Sequence, residues 1–227
     1  MRQNLIALVA LVLTCAGVQA ASLNDLYFGL DNMRGFSEVY WWFLADGRVL
    51  EGLPTSGITP ADFEKACAAS PAICGNYTLS GSNLAIKFRN GRTENFTYKP
   101  LNGGMQLNYL ILTPVTKYPA GARLNGTWDR PFSSTVATGS AVTNIVVPRW
   151  ITFKPDGTYS EKTVAGVDTQ TAHGGVTSSH QTDVTGSYTI QANVLTLVKN
   201  GRSERHMIFP VAGDNLNIDG QVFHKQK

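Results

Sequence analysis

Phe43-Leu44-Ala45-Asp46-Gly47 and Phe153-Lys154-Pro155-Asp156-Gly157 begin two stretches of the chain that stay in step. Gly75-Asn76-Tyr77-Thr78-Leu79 is answered by Gly186-Ser187-Tyr188-Thr189-Ile190, and Asn90-Gly91-Arg92-Thr93-Glu94 by Asn200-Gly201-Arg202-Ser203-Glu204. Asp46-Gly47 precedes Asn90-Gly91 by 44 residues, and Asp156-Gly157 precedes Asn200-Gly201 by the same 44. The elements in between therefore keep their register as well as their kind. Two copies of roughly 100 residues are too few and too long for a solenoid, so the repeat describes two related modules.

Each copy reads as a meander. Asp-Gly and Asn-Gly supply the positive φ of tight hairpin turns. Between those turns, Tyr77/Leu79, Leu84/Ile86/Phe88 and Phe96/Tyr98 alternate toward one face, as do Leu195/Leu197 in the second copy. Short strands broken by Gly/Asn turns predict an antiparallel barrel or sandwich. The fold class is therefore all-β, two tandem antiparallel β-meander or barrel modules. Residues 21–118 form the first module, 119–123 a linker and 124–227 the second. Thr59-Pro60-Ala61-Asp62 is a helix start, with a hydroxyl cap and proline at the first position. It predicts a short helix over Pro60–Ala69, an insertion absent from the second copy. The stretch Leu23–Phe36 carries no clear period.

The chain opens with Arg2, an apolar run from Leu5 to Leu13 and a small-residue site at Val18-Gln19-Ala20. That pattern predicts a secretory leader over residues 1–20, and an exported protein, periplasmic or extracellular. Lipidation at Cys15 is the alternative, which Leu13 and Thr14 fit poorly. No later run reaches the ~20 apolar residues of a membrane helix. The 227 residues hold 19 Lys and Arg against 16 Asp and Glu, without a basic cluster, so a nucleic-acid partner is not expected. Cys67 and Cys74 form an even, closely spaced pair that an oxidising compartment would close into a disulfide.

Gly126-Thr127-Trp128, ahead of a meander rich in Asp-Gly and Asn-Gly hairpins, resembles the lipocalin-like superfamily of small β-barrels. The resemblance implies a binding barrel whose indole closes one end. It also implies a basic residue from a late strand packed on that indole, for which Arg202 and Arg205 are the candidates. The first copy has Leu26-Tyr27-Phe28-Gly29 at the matching place. Its Phe-Leu-x-Asp-Gly-Arg and Cys-Gly-x-Tyr segments also resemble those of bacterial secreted proteins.

Candidate chemistry is sparse. His173, His180 and Asp183, with Asp168 upstream, could bind a metal or move protons, yet they sit in a Ser/Thr/Gly-rich stretch that reads as a flexible loop. No serine lies in Gly-x-Ser-x-Gly. No cofactor is expected. Glu94 and Glu204, repeat equivalents beside the Asn-Gly-Arg turn, suit a structural pair with the turn arginine. Aromatics carry more information. Tyr40, Trp41, Trp42 and Phe43 are consecutive, so two rings face inward and two outward. The outward pair is expected to pack under the Pro60–Ala69 helix or against the second copy, the alternative being an exposed contact surface for a partner or a sugar ring. A non-catalytic binding protein follows, for a small apolar molecule or a protein partner, with Trp41, Trp42, Trp128, Trp150 and Tyr188 as apolar walls. An envelope interaction protein without a small ligand is the second reading, and an enzyme using the histidine stretch the third.

Overall fold

The computed structural model describes residues 23–33, 35, 37–54, 57–138, 141–171 and 174–227. The leader over 1–20 and His173 lie outside the described residues. The first copy forms β1 (Asp25–Asp31), β2 (Ser37–Phe43), β3 (Arg48–Glu51), helix α1 (Pro60–Ala69), β4 (Cys74–Ser80) and β5 (Asn83–Phe88). It continues through β6 (Thr93–Leu101), β7 (Gly104–Leu107) and β8 (Leu110–Pro114). Each strand pairs antiparallel with the next, and β8 returns to β1, closing an eight-stranded barrel.

The second copy forms β9 (Gly126–Arg130), β10 (Ser133–Thr138), β11 (Ala141–Val146), β12 (Arg149–Phe153) and β13 (Thr158–Thr171). It is completed by β14 (Gly174–Gln191), β15 (Val194–Lys199), β16 (Arg202–Val211), β17 (Asn215–Ile218) and β18 (Gln221–Lys225). Here β9 pairs with β12, the order then runs β12 to β18, and β18 returns to β9, so a second eight-stranded barrel closes. The hairpin β10–β11 leaves this ring and lies beside the outer half of β13. The described residues around His180 and Asp183 are thus strand, in β13 and β14, which corrects the expectation of a flexible loop there. Their Thr and Val residues favour extended backbone, and the pairing of β13 with β14 satisfies the polar groups of a long ribbon.

Strand by strand the two barrels correspond. Phe43 and Phe153 sit at the same place and are fully buried. Phe43 meets Tyr77 edge-on at 5.1 Å, and Phe153 meets Tyr188 at 4.8 Å. The Tyr77 hydroxyl donates toward the carbonyls of Leu23 and Leu44 at 2.8 and 3.0 Å. That of Tyr188 lies 3.1 and 3.0 Å from the carbonyls of Leu124 and Lys154, and accepts from the Leu124 amide at 2.8 Å. Burial pushes both phenols above their ordinary range. The repeated Phe, Asp-Gly and Gly-x-Tyr therefore build one closed floor in each barrel. Gly186 is obligatory there, because a Cβ would collide with the Val198 carbonyl oxygen of the neighbouring strand.

Tyr27 of β1 takes the place that Trp128 has in β9, each touching its floor phenylalanine at 6.0 and 5.9 Å. Asp25–Asp31, within the segment without clear period, is thus the true first strand. The residue stacked on Trp128 is Lys225 of β18, 5.8 Å from the ring. Arg202 and Arg205 do not fill that role, since Arg205 pairs with Asp62 and Arg202 stands at the opposite end of the barrel. Both copies thus close as antiparallel barrels, with the Trp128 indole at the closed end of the second.

A third apolar core joins the barrels. Tyr40 and Trp42, the outward pair, meet Phe209 of the second barrel and Phe63 of α1 at 6.0 and 5.6 Å. Thr59 and Asp62 cap α1 reciprocally, and a Cys67–Cys74 disulfide with a Cα separation of 5.6 Å ties its last turn to β4. Asn217 donates to the Tyr40 hydroxyl at 3.1 Å, and Asn193 bonds both the Thr116 carbonyl and the Tyr118 amide. Among the described residues no helix is long and apolar enough to cross a membrane.

Candidate binding site at the barrel mouths

Opposite its floor, each barrel is open. Inward-facing residues at this end come from the strand positions farthest from the floor phenylalanine, so the repeat sets equivalent positions at both rims. Five residues after its Asp-Gly, each copy turns a glutamate inward, Glu51 and Glu161, and the Asn-Gly-Arg hairpin adds Glu94 and Glu204.

At the first mouth a cavity of about 520 Å³ is floored by Trp41, Phe96, Leu107 and Leu110, with Val39 on one wall. Trp41 and Phe96 meet edge-on at 5.7 Å. Asp31, Glu38, Glu51 and Glu94 ring the opening. Arg92 lies over the Phe88 ring at 3.8 Å and pairs with both Glu94, at 3.0 Å, and Glu51. The structural pairing expected of Glu94 is present. Glu38 accepts from the Tyr40 hydroxyl at 2.6 Å, and burial, then this carboxylate, hold that phenol far above its usual range. Among the described residues Arg92 faces Glu38, Glu51 and Glu94, so carboxylates outnumber cations over the aromatic floor, an arrangement suited to an apolar body bearing a cationic or hydrogen-bond-donating end.

The second mouth inverts this character. Arg149 occupies the position of Val39 and Ile151 that of Trp41, as the pairings Val39–Gly29 and Arg149–Arg130 show. Arg149 Nε bonds Glu161 at 2.6 Å, and Tyr159, Lys199, Arg202 and Glu204 line a cavity of about 640 Å³. Two carboxylates face three cations.

His206 stands beside Leu195 on β16, where the first barrel has Phe96. Its Nδ1 is 2.7 Å from Asp219 Oδ2, and its Nε2 is 3.7 Å from Glu204. The Asp219 hydrogen bond raises the imidazole above its ordinary value, helped by Glu204 and opposed by burial and Arg149. A raised folded value means that the bonded imidazolium stabilises the fold fully below about pH 6.5 and ceases to as pH rises through the folded value. Urea melts at pH 6 and pH 8 should show a loss in the native chain that His206→Gln removes; equal slopes in both proteins would refute this assignment.

Of the five aromatic residues expected as apolar walls, Trp41 alone borders a mouth cavity. Trp42 is buried between the barrels, Trp128 and Tyr188 belong to the closed floor, and Trp150 lies on the outer wall under Lys162, 5.9 Å from its ring. The structure does not bring these five together. His180 and Asp183 project from opposite sides of β14, and Asp183 accepts from Gln181 at 2.7 Å. Asp168 accepts from Thr177 at 3.0 Å. Among the described residues no three His, Cys, Asp or Glu side chains gather as a metal site. Glu51 as a rim residue escaped the sequence reading, although its offset from Asp-Gly, shared with Glu161, was the available signal. Comparison with protein-family models, curated proteins and solved structures finds no match to this chain.

Proposed function

We propose that this is a non-catalytic binding protein that holds a small, mainly apolar molecule in the mouth of the first barrel. The observation that carries the reading is the cavity of about 520 Å³ over Trp41 and Phe96 beneath an acidic rim. Its volume falls in the range of small-molecule sites, roughly 300–1,000 Å³, with apolar walls and a few polar groups to orient the occupant. The acidic ring favours a neutral or cationic ligand over an anionic one. The leader pattern and the Cys67–Cys74 pair support export to an oxidising compartment, where such a carrier would meet its ligand.

The second barrel supplies the test. Val39→Arg transplants Arg149 into the first mouth, where it would pair with Glu51 as Arg149 pairs with Glu161, filling the cavity. N-phenyl-1-naphthylamine, a neutral apolar probe, is expected to gain fluorescence with the native protein and to quench or shift Trp41 emission. Val39→Arg should weaken this binding about 10-fold or more, equivalent to about 1.4 kcal/mol. Probe binding that is absent, or indifferent to Val39→Arg, removes the proposal.

A further inference from the structure

The second barrel carries a projection without counterpart in the first. Above the rim, the outer halves of β13 and β14 continue as a ribbon, and β11 and β10 extend it to four strands. β10 is the outermost strand of this sheet. Natural edge strands are commonly guarded by lysine, proline, a bulge or an inward charge, because an open row of N–H and C=O groups recruits other strands. β10 has none of these. From Pro131 to Pro148 the sequence has no charged residue, and Phe132, Val136, Val142 and Val146 are exposed.

We infer that β10 is the seam of a homodimer, pairing antiparallel with β10 of a second copy across a two-fold axis at Thr135. The register decides which backbone groups are available. The Val147 amide donates to the Phe132 carbonyl at 2.8 Å, and β10–β11 pairs advance one by one from Ser133–Val146. Bonded and non-bonded pairs alternate along antiparallel strands. Phe132, Ser134, Val136 and Thr138 therefore direct their backbone groups at β11, while Ser133, Thr135 and Ala137 direct theirs to the open side. A two-fold at Thr135 sets Thr135 against Thr135 and Ser133 against Ala137 of the other copy, each in the bonding phase. Between them Ser134 faces Val136, and Phe132 faces Thr138.

The fit favours a second copy over an unrelated strand for two reasons. The pattern is self-complementary, with small residue against small residue in every bonded pair, as an isologous contact requires. With no charge on β10, identical strands meet without like-charge repulsion, whereas the other free edge, the outer part of β14, carries His180 and Asp183. Val136 of the two copies become diagonal neighbours across the seam on the side that carries Phe132, so the exposed Val136 gains an apolar contact in the dimer.

Two variants test this with the full chain. Thr135→Pro deletes an amide that points to the open side, leaving the β10–β11 bonds in place. Sedimentation velocity from about 1 μM to about 500 μM should show a native dimer, and Thr135→Pro should weaken it about 100-fold or more with unchanged circular dichroism. Thr135→Cys places two thiols on directly opposed residues about 5.5 Å apart at Cα, within disulfide reach, so mild oxidation should yield a covalent dimer that the native chain does not form. If Thr135→Pro loses its β signal, the cysteine variant decides alone. A native chain monomeric throughout the series, a dimer untouched by Thr135→Pro, or no cross-link in Thr135→Cys overturns the inference.

Discussion

Alanine at Phe153 is expected to cost the second barrel about 3–5 kcal/mol, the range for a large ring deleted from a core. The ring is fully buried and touches Trp128, Tyr159 and Tyr188 at 5.9, 6.5 and 4.8 Å. Relaxation into the void is restricted from both sides. Tyr188 is held by hydrogen bonds to Leu124 and Lys154, and the Trp128 indole donates to the Asp214 carbonyl at 2.9 Å. Phe43→Ala should do the same to the first barrel, where Tyr77 is held in the same way. Urea denaturation of both variants checks this, and a loss below about 1 kcal/mol in either would show that its floor closes without the ring.

Trp42→Ala is expected to cost a similar amount, about 3–5 kcal/mol, with a different signature. Trp42 belongs to the core shared by α1, the first barrel and the second, together with Phe63, Met207 and Phe209. Its removal undermines the interface while leaving both floors intact. The native chain should therefore unfold in one transition, and Trp42→Ala in two, the barrels having lost their coupling. Calorimetry distinguishes these outcomes. Two transitions in the native chain, or one in the variant, would mean that the third core does not join the barrels energetically.

Much of this architecture was legible from punctuation. Asp46-Gly47 and Asp156-Gly157 needed positive φ, which both glycines adopt, at 89° and 87°. Thr59-Pro60 announced α1, and the run from Tyr40 to Phe43 divided between two cores as strand alternation requires. Closure of each ring was less visible, because β1 and β8 meet only in space. Tyr27 hid the first strand, since a phenol stands where the second copy has its indole. The β13–β14 ribbon was misread because its Ser, Thr and Gly content is that of a loop, and only pairing with β11 and with each other extends it.

The site was less legible than the fold. Sequence marks the bulky aromatics but does not say which end of a barrel they occupy, so floor residues such as Trp128 and Tyr188 look like ligand walls. What distinguishes a mouth is the set of inward positions farthest from the floor phenylalanine. There Val39 against Arg149 and Trp41 against Ile151 separate the two descendants while Glu51 and Glu161 stay the same.

The connection between the third and fourth barrel strands has grown in both descendants, into a disulfide-tethered helix in one and a long two-stranded ribbon in the other. Both additions rise from the open rim, and neither alters the hydroxyl latch at the far end. The module thus divides its labour along its axis: one pole preserves the enclosure, and the other is at liberty to diversify.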